Sequence, residues 1–159
     1  MNTFVQEIID ILKEKNITIA TCESATGGMI GSHLVGVSGV SKIYLGGLIT
    51  YSNASKVKLA NVNQVTLDKF GAISKETALE MATGAMNKFK SDIAVSITGN
   101  AGPLPSEDKP TGVAYICICV IDKYYSYEIH SKETERNQIR IDFTFKVLSL
   151  LLALLKQIA

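Results

Sequence analysis

The stretch Ile17–Leu34, ITIATCESATGGMIGSHL, holds a β-branched run, a polar turn with two glycines and the start of a helix. Ile17 to Thr21 is short, β-branched and bounded by polar residues, the composition of a strand. Glu23-Ser24-Ala25-Thr26-Gly27-Gly28 then turns the chain, and Met29 to Leu34 begins a helix. Strand, tight turn and helix in that order are the unit of layered α/β folds, in which ligands sit at the carboxyl edge of the sheet. Free N–H groups at such a helix start attract anions, and glycine lets the backbone approach them. From this turn alone, Ser24 reads first as a helix cap. Its second reading is a hydroxyl on the rim of the hollow, free to attack a bound carbonyl.

Outward from that unit, the same alternation continues. Phe4, Val5, Ile8, Ile9, Ile11 and Leu12 recur at helical spacing behind a Thr3–Gln6 capping signal, predicting a helix to about Lys15. Tyr44 to Tyr51 reads as a strand and Asn53 to Leu59 as a helix. Ser74 caps a longer helix through about Phe89, with Ala78, Met81, Ala82 and Ala85 on one face. Ile93 to Thr98 is a third strand, and the polar loop Gly99 to Thr111 after it carries all three prolines. Gly112 to Val120 and Tyr124 to His130 predict an antiparallel hairpin, and Glu135 to Ile158 a closing helix. The expected fold is α/β: a three-layer α/β/α sandwich with a mixed, mostly parallel sheet and a C-terminal hairpin, in a single domain over 1–159.

Composition narrows the function classes. At 159 residues the chain has room for one core, and 16 basic against 15 acidic side chains give a formal charge of +1. That balance offers no broad attraction to a nucleic acid or a membrane surface, so any anion must be held locally. Cys22, Cys117 and Cys119 form neither a disulfide framework nor a zinc-ligand pattern, which points to a reducing, cytoplasmic setting. The N-terminus lacks signal-peptide character, and Val147 to Leu155 is too short to span a bilayer, so a buried helix face and a soluble protein are expected. The start at a capped helix leads us to expect a free-standing chain. The apolar last helix also suggests a homo-oligomer.

Three further segments carry chemistry. A serine hydroxyl is a poor nucleophile until a base removes its proton, and a lysine of lowered pKa can do so. Lys56, in Tyr51-Ser52-Asn53-Ala54-Ser55-Lys56 at a strand end, is the candidate, since neither His33 nor His130 is suitably placed. Thr98-Gly99-Asn100-Ala101-Gly102-Pro103 leaves another strand and offers backbone N–H groups to a substrate oxygen or phosphate. Arg136 and Arg140, four apart, share a helix face, and arginine suits a phosphate. Taken singly, each has a plainer reading as a solvated, packing or turn residue.

In order and spacing these segments resemble the C-terminal domain of the competence-damage-inducible protein family, which includes stand-alone nicotinamide-nucleotide amidases. The carrying motifs are ESATGG at Glu23–Gly28, LGGLITYSNASK at Leu45–Lys56, GAIS at Gly71–Ser74, TGNAGP at Thr98–Pro103, KPTG at Lys109–Gly112 and RNQIR at Arg136–Arg140. The resemblance implies hydrolysis of the carboxamide of nicotinamide mononucleotide, a small-molecule nucleotide, to nicotinic acid mononucleotide and ammonia, without metal or cofactor. It puts the nucleophile on Ser24, the base on Lys56, and a helper that hydrogen-bonds within the dyad on Tyr51. Substrate contacts fall on Glu23, Thr26, Gly27, Gly28, Thr98, Gly99, Ala101, Gly102, Arg136 and Arg140, with Arg140 ahead of Arg136. The oxyanion would be met by N–H groups of Ala25 to Gly28 or of Gly99 to Gly102. The chain departs from the family pattern at Cys22-Glu23-Ser24-Ala25, Leu104-Pro105-Ser106 and Thr134-Glu135-Arg136. The rival readings are a non-catalytic nucleotide-binding scaffold, an amidase for another carboxamide, and a thiol enzyme using Cys22.

Overall fold

The computed structural model describes residues 2–158, without the side chain of Asn2; Met1 and Ala159 lie outside the described residues. Its elements run α1 (Asn2–Lys15), β1 (Ile19–Glu23), α2 (Met29–Val35), a 3-10 turn (Val40–Lys42), β2 (Tyr44–Ile49), α3 (Asn53–Ala60), α4 (Gln64–Phe70), α5 (Lys75–Phe89), β3 (Ile93–Gly99), β4 (Val113–Val120), β5 (Lys123–His130) and α6 (Arg136–Ile158). Sheet order is β2-β1-β3-β4-β5. β1 pairs in parallel with both β2 and β3, while β4 is antiparallel to β3 and to β5. Every strand but β4 therefore points the same way, which is the mixed, mostly parallel sheet with a terminal hairpin that the sequence predicts.

The two faces are packed differently. Ile93, Val95 and Ile97 of β3 and Ala114, Ile116 and Ile118 of β4 meet α1, α2 and α6 in one cluster. Burying one such branched side chain contributes about 1.5–3 kcal/mol. The opposite face presents smaller residues, Cys22, Ala94, Cys117 and Cys119, toward α3, α4 and α5. Small residues let α5 lie close: Ala78, Met81, Ala82 and Ala85 are all fully buried. At Gly84 a Cβ would collide with the Ala60 carbonyl of α3, so only glycine permits that approach. The close contact fixes where α3, and with it Lys56, sits.

Several boundaries move. α1 starts at Asn2, so Thr3 lies inside the first turn and makes no capping box; the Gln6 amide donates instead to Asp10, 2.9 Å away. β1 runs two residues later than the β-branched run, because its partners are set by pairing with Tyr44–Ile49 and Ile93–Ile97 rather than by its own composition. α4 has no counterpart in the sequence reading. Ser74 caps α5 as expected, its hydroxyl accepting from the Thr77 N–H at 3.1 Å. The leucine-rich face of α6 is covered within the chain by α1 and the sheet, so its apolar character needs no second copy. Among the described residues no helix is long and apolar enough to cross a membrane.

Candidate active site

After β1 the chain crosses into α2 on the α1/α6 face, and after β2 into α3 on the opposite face. The carboxyl ends of the adjacent strands β1 and β2 thus flank a crevice of the kind that binds ligands in open α/β sheets. Pairing continues past the end of β1: the Ser24 N–H donates to Ile97 O at 3.0 Å and the Thr50 N–H to Glu23 O at 2.9 Å. Ser24 is thereby held between two strand ends and is only 6% exposed. It does not cap α2, whose N-cap is Gly28 with φ 105° and no side-chain cap bond.

The capping task falls to Glu23. Its Oε1 accepts from the Thr26 hydroxyl (2.6 Å) and from the N–H of Gly28 and Ile30, and its Oε2 from the N–H of Gly31 (3.0 Å). A carboxylate suits the positive end of a helix. Both oxygens are occupied and the side chain is buried, which corrects the expectation of substrate contacts at Glu23 and Thr26: they build the turn. Gly27 lines the site, whereas Gly28 faces a separate hollow on the other side of the turn.

Lys56 enters from the first turn of α3, started by Ser52, whose hydroxyl accepts from the Ser55 N–H. Its Nζ lies 3.0 Å from Ser24 Oγ, 2.7 Å from Thr50 O and 3.2 Å from Tyr51 O. The side chain is 1% exposed. Burial lowers the Lys56 pKa to about 8, against an opposing pull from the Glu107 carboxylate. A neutral amine has two N–H bonds, which the two carbonyls take, and one lone pair, left facing Ser24.

Tyr51 acts through its backbone. Its phenol is 64% exposed and its OH accepts from Arg136 at 3.1 Å, so the side chain is no member of the dyad. The chain has left β2 at Ile49, and the turn into α3 aims the carbonyls of Thr50 and Tyr51 at Lys56 while the ring stays exposed. Cys22 points into the core beneath α3 and α5, and burial pushes its thiol up to about 11, which leaves no thiolate to act as a nucleophile. His33 borders a hollow between α1 and α2, and His130 is exposed beside Glu128.

A cavity of about 500 Å³ opens on the dyad and a second of about 270 Å³ adjoins it. Ser24, Ala25, Tyr51 and Arg136 line both. Thr98, Gly99, Ala101 and Gly102 line the larger one. The Thr98 hydroxyl donates to Ala72 O at 2.8 Å, so it is already engaged. Gly99 also has a packing reason: a Cβ there would strike Ala114 of β4. Asn100, absent from the sequence-derived site, shapes the loop by accepting from the Gly102 N–H and donating to Leu104 O. Arg136 donates to Gly102 O and to Tyr51, bridging the mouth. Arg140 holds the turn, donating to Ala25 O and Thr26 O at 2.9 and 3.1 Å, and borders the smaller cavity. Sequence reasoning also missed Glu107 and the Thr50 carbonyl; neither carries a local signal. Among the described residues no group of three His, Cys, Asp or Glu is disposed to hold a metal ion.

A family model described as the CinA C-terminal domain matches residues 1–155. The chain belongs to the CinA C-terminal domain family. It is 37% identical over 156 residues to the "Protein MG115 homolog" of Mycoplasma pneumoniae, covering 98% of this chain and 99% of that one. It is 46% identical over 117 residues to a "CinA-like protein" of Kosmotoga olearia, 73% of this chain but 28% of that relative. The chain thus spans under a third of the longer curated relatives it matches. A crystal structure of the competence/damage inducible protein CihA from Agrobacterium tumefaciens superposes with a TM-score of 0.91 at 32% identity, covering 96% of this chain and 94% of that one. A crystal structure of the competence damage-inducible protein A (ComA) from Klebsiella pneumoniae reaches 0.96 at 23% identity over 99% and 98% of the two chains, a likeness of fold.

Proposed function

We propose that this chain is a serine–lysine amidohydrolase that converts nicotinamide mononucleotide to nicotinic acid mononucleotide and ammonia. The observation that carries this reading is the 3.0 Å contact between Lys56 Nζ and Ser24 Oγ inside a wall nearly closed to water. Lys56 takes the hydroxyl proton as Ser24 Oγ attacks the carboxamide carbon, and returns it to the nitrogen that leaves as ammonia. A water then gives its proton to Lys56 and attacks the ester on Ser24; the acid leaves and Ser24 regains its proton. Ala25 and Ala101 border the cavity with backbone N–H groups that take no partner among the described residues, and these are the donors we assign to the oxyanion.

The substrate class follows from the two joined cavities. A carboxamide at Ser24 would leave the ribose phosphate within reach of the guanidinium groups of Arg136 and Arg140. The three free thiols agree with the cytoplasm as the site of action.

Purified protein should release ammonia from nicotinamide mononucleotide, and Ser24→Ala or Lys56→Ala should each abolish it. Nicotinamide and its riboside should be poorer substrates. Equal rates on all three would remove phosphate recognition, and no release from any of them would favour a nucleotide-binding scaffold.

A further inference from the structure

The loop Gly99–Thr111 is mostly exposed, yet one acidic side chain fastens it to a distant segment. Glu107, itself at φ 53°, accepts the N–H of Ala72 at 3.0 Å through Oε2 and that of Ile73 at 2.9 Å through Oε1. Those residues belong to the turn Gly71–Ser74 ahead of α5, a node of several bonds. Gly71 O accepts from the hydroxyls of Ser74 and Thr77, and Ala72 O from Thr98. Gly71 itself has φ +80°, and a Cβ there would lie 2.5 Å from Glu107 Oε1. Glycine at this position is therefore what admits the carboxylate, an observation independent of the hydrogen bonds. Glu107, Ala72 and Ile73 all border the cavity that holds Ser24 and Lys56, and Glu107 is the one carboxylate among its lining residues.

We infer that Glu107 is a positioning residue of the active site, clamping the cavity loop to the Gly71–Ser74 turn and setting a negative charge across the cavity from Lys56. The inference rests on the hydrolytic reading of the same site. The clamp fixes Ala101 and Gly102 against Ser24, which the oxyanion geometry requires. The charge favours the ammonium form of Lys56. Cys22, from β1, also lies near Lys56, but its thiol, pushed up to about 11, is neutral where Lys56 titrates and adds no charge. The remaining charged or titratable groups bordering the cavity are the Arg136 guanidinium from α6 and the Tyr51 phenol at the end of β2.

Three variants separate the two roles. Glu107→Gln retains one acceptor oxygen and loses the charge, Glu107→Ala loses both, and Gly71→Ala displaces the carboxylate while retaining its charge. Amide hydrogen exchange at Ala72 and Ile73 should speed up about tenfold or more in Glu107→Ala and in Gly71→Ala. Because both disrupt one contact, adding Gly71→Ala to Glu107→Ala should cost less than it does in the wild type. The titration midpoint of Lys56, followed by carbon NMR of its labelled Cε, should move to lower pH in Glu107→Gln and Glu107→Ala. The acidic limb of the kcat/KM profile should follow it. Unchanged exchange in Glu107→Ala would overturn the clamp, and an unmoved Lys56 midpoint would overturn the charge. A wild type that releases no ammonia would remove the hydrolytic reading alone, since exchange and titration are read without turnover.

Discussion

Ser24 and Lys56 stand at the ends of regular elements, nearly sealed from water, with backbone carbonyls and strand pairing fixing their atoms. Across the same cavity, Gly102 to Asp108 runs largely exposed, with positive φ at Gly102, Glu107 and Asp108 and a few long-range bonds to hold it. Desolvation does the chemical work on the first wall, because removing water is what brings the Lys56 amine down to about 8. On the hydrolytic reading, the second wall would shape and admit the substrate. Substitutions on the first should therefore abolish chemistry or stability, and those on the second should change affinity.

The largest effect is expected at Lys56. Lys56→Met should lower kcat about 10³-fold or more, the range lost with a general base. The folded pKa of about 8 lies below the ordinary 10.5, so the folded chain binds fewer protons between those values and is stabilised as pH rises through that window. Denaturant unfolding at several pH values should find that rise in the wild type and a smaller one in Lys56→Met. The rate should climb with pH to a plateau above about 8, as the base becomes neutral; a flat profile would remove Lys56 from that role.

Glu23→Gln comes next. Four donors converge on the buried carboxylate, so the change should cost about 3 kcal/mol of unfolding free energy. KM in the protein that remains folded should move less than about threefold. A large rise in KM without loss of stability would return Glu23 to the ligand side.

Gly84→Ala tests the support behind the dyad. Its Cβ would collide with the Ala60 carbonyl, so α3 must shift, at a cost of about 1–3 kcal/mol. A parallel fall in kcat would tie the spacing of α3 and α5 to the placement of Lys56.

Tyr51→Phe should be the mildest, changing kcat less than about threefold, since the phenol touches Arg136 and only the carbonyl touches Lys56. A loss near that of Lys56→Met would put the ring back in the dyad.

The alternation of β-branched runs with helical spacing determined the layered fold, since periodicity records which side of each element must leave water. The same local signals identified the Ser74 cap, the hairpin, and the strand ends bearing Ser24 and Lys56. What they could not contain is pairing and distance. The register of β1, the capping of α2 by Glu23 in place of Ser24, and the turn of the Tyr51 ring toward Arg136 all depend on neighbours supplied by other elements. Glu107 meets its partners across 34 and 35 positions. Residue type and spacing thus set the candidates. Only the packed sheet, with α5 pressed against α3 through Gly84, brings a hydroxyl and an amine 32 positions apart into contact and takes them out of water.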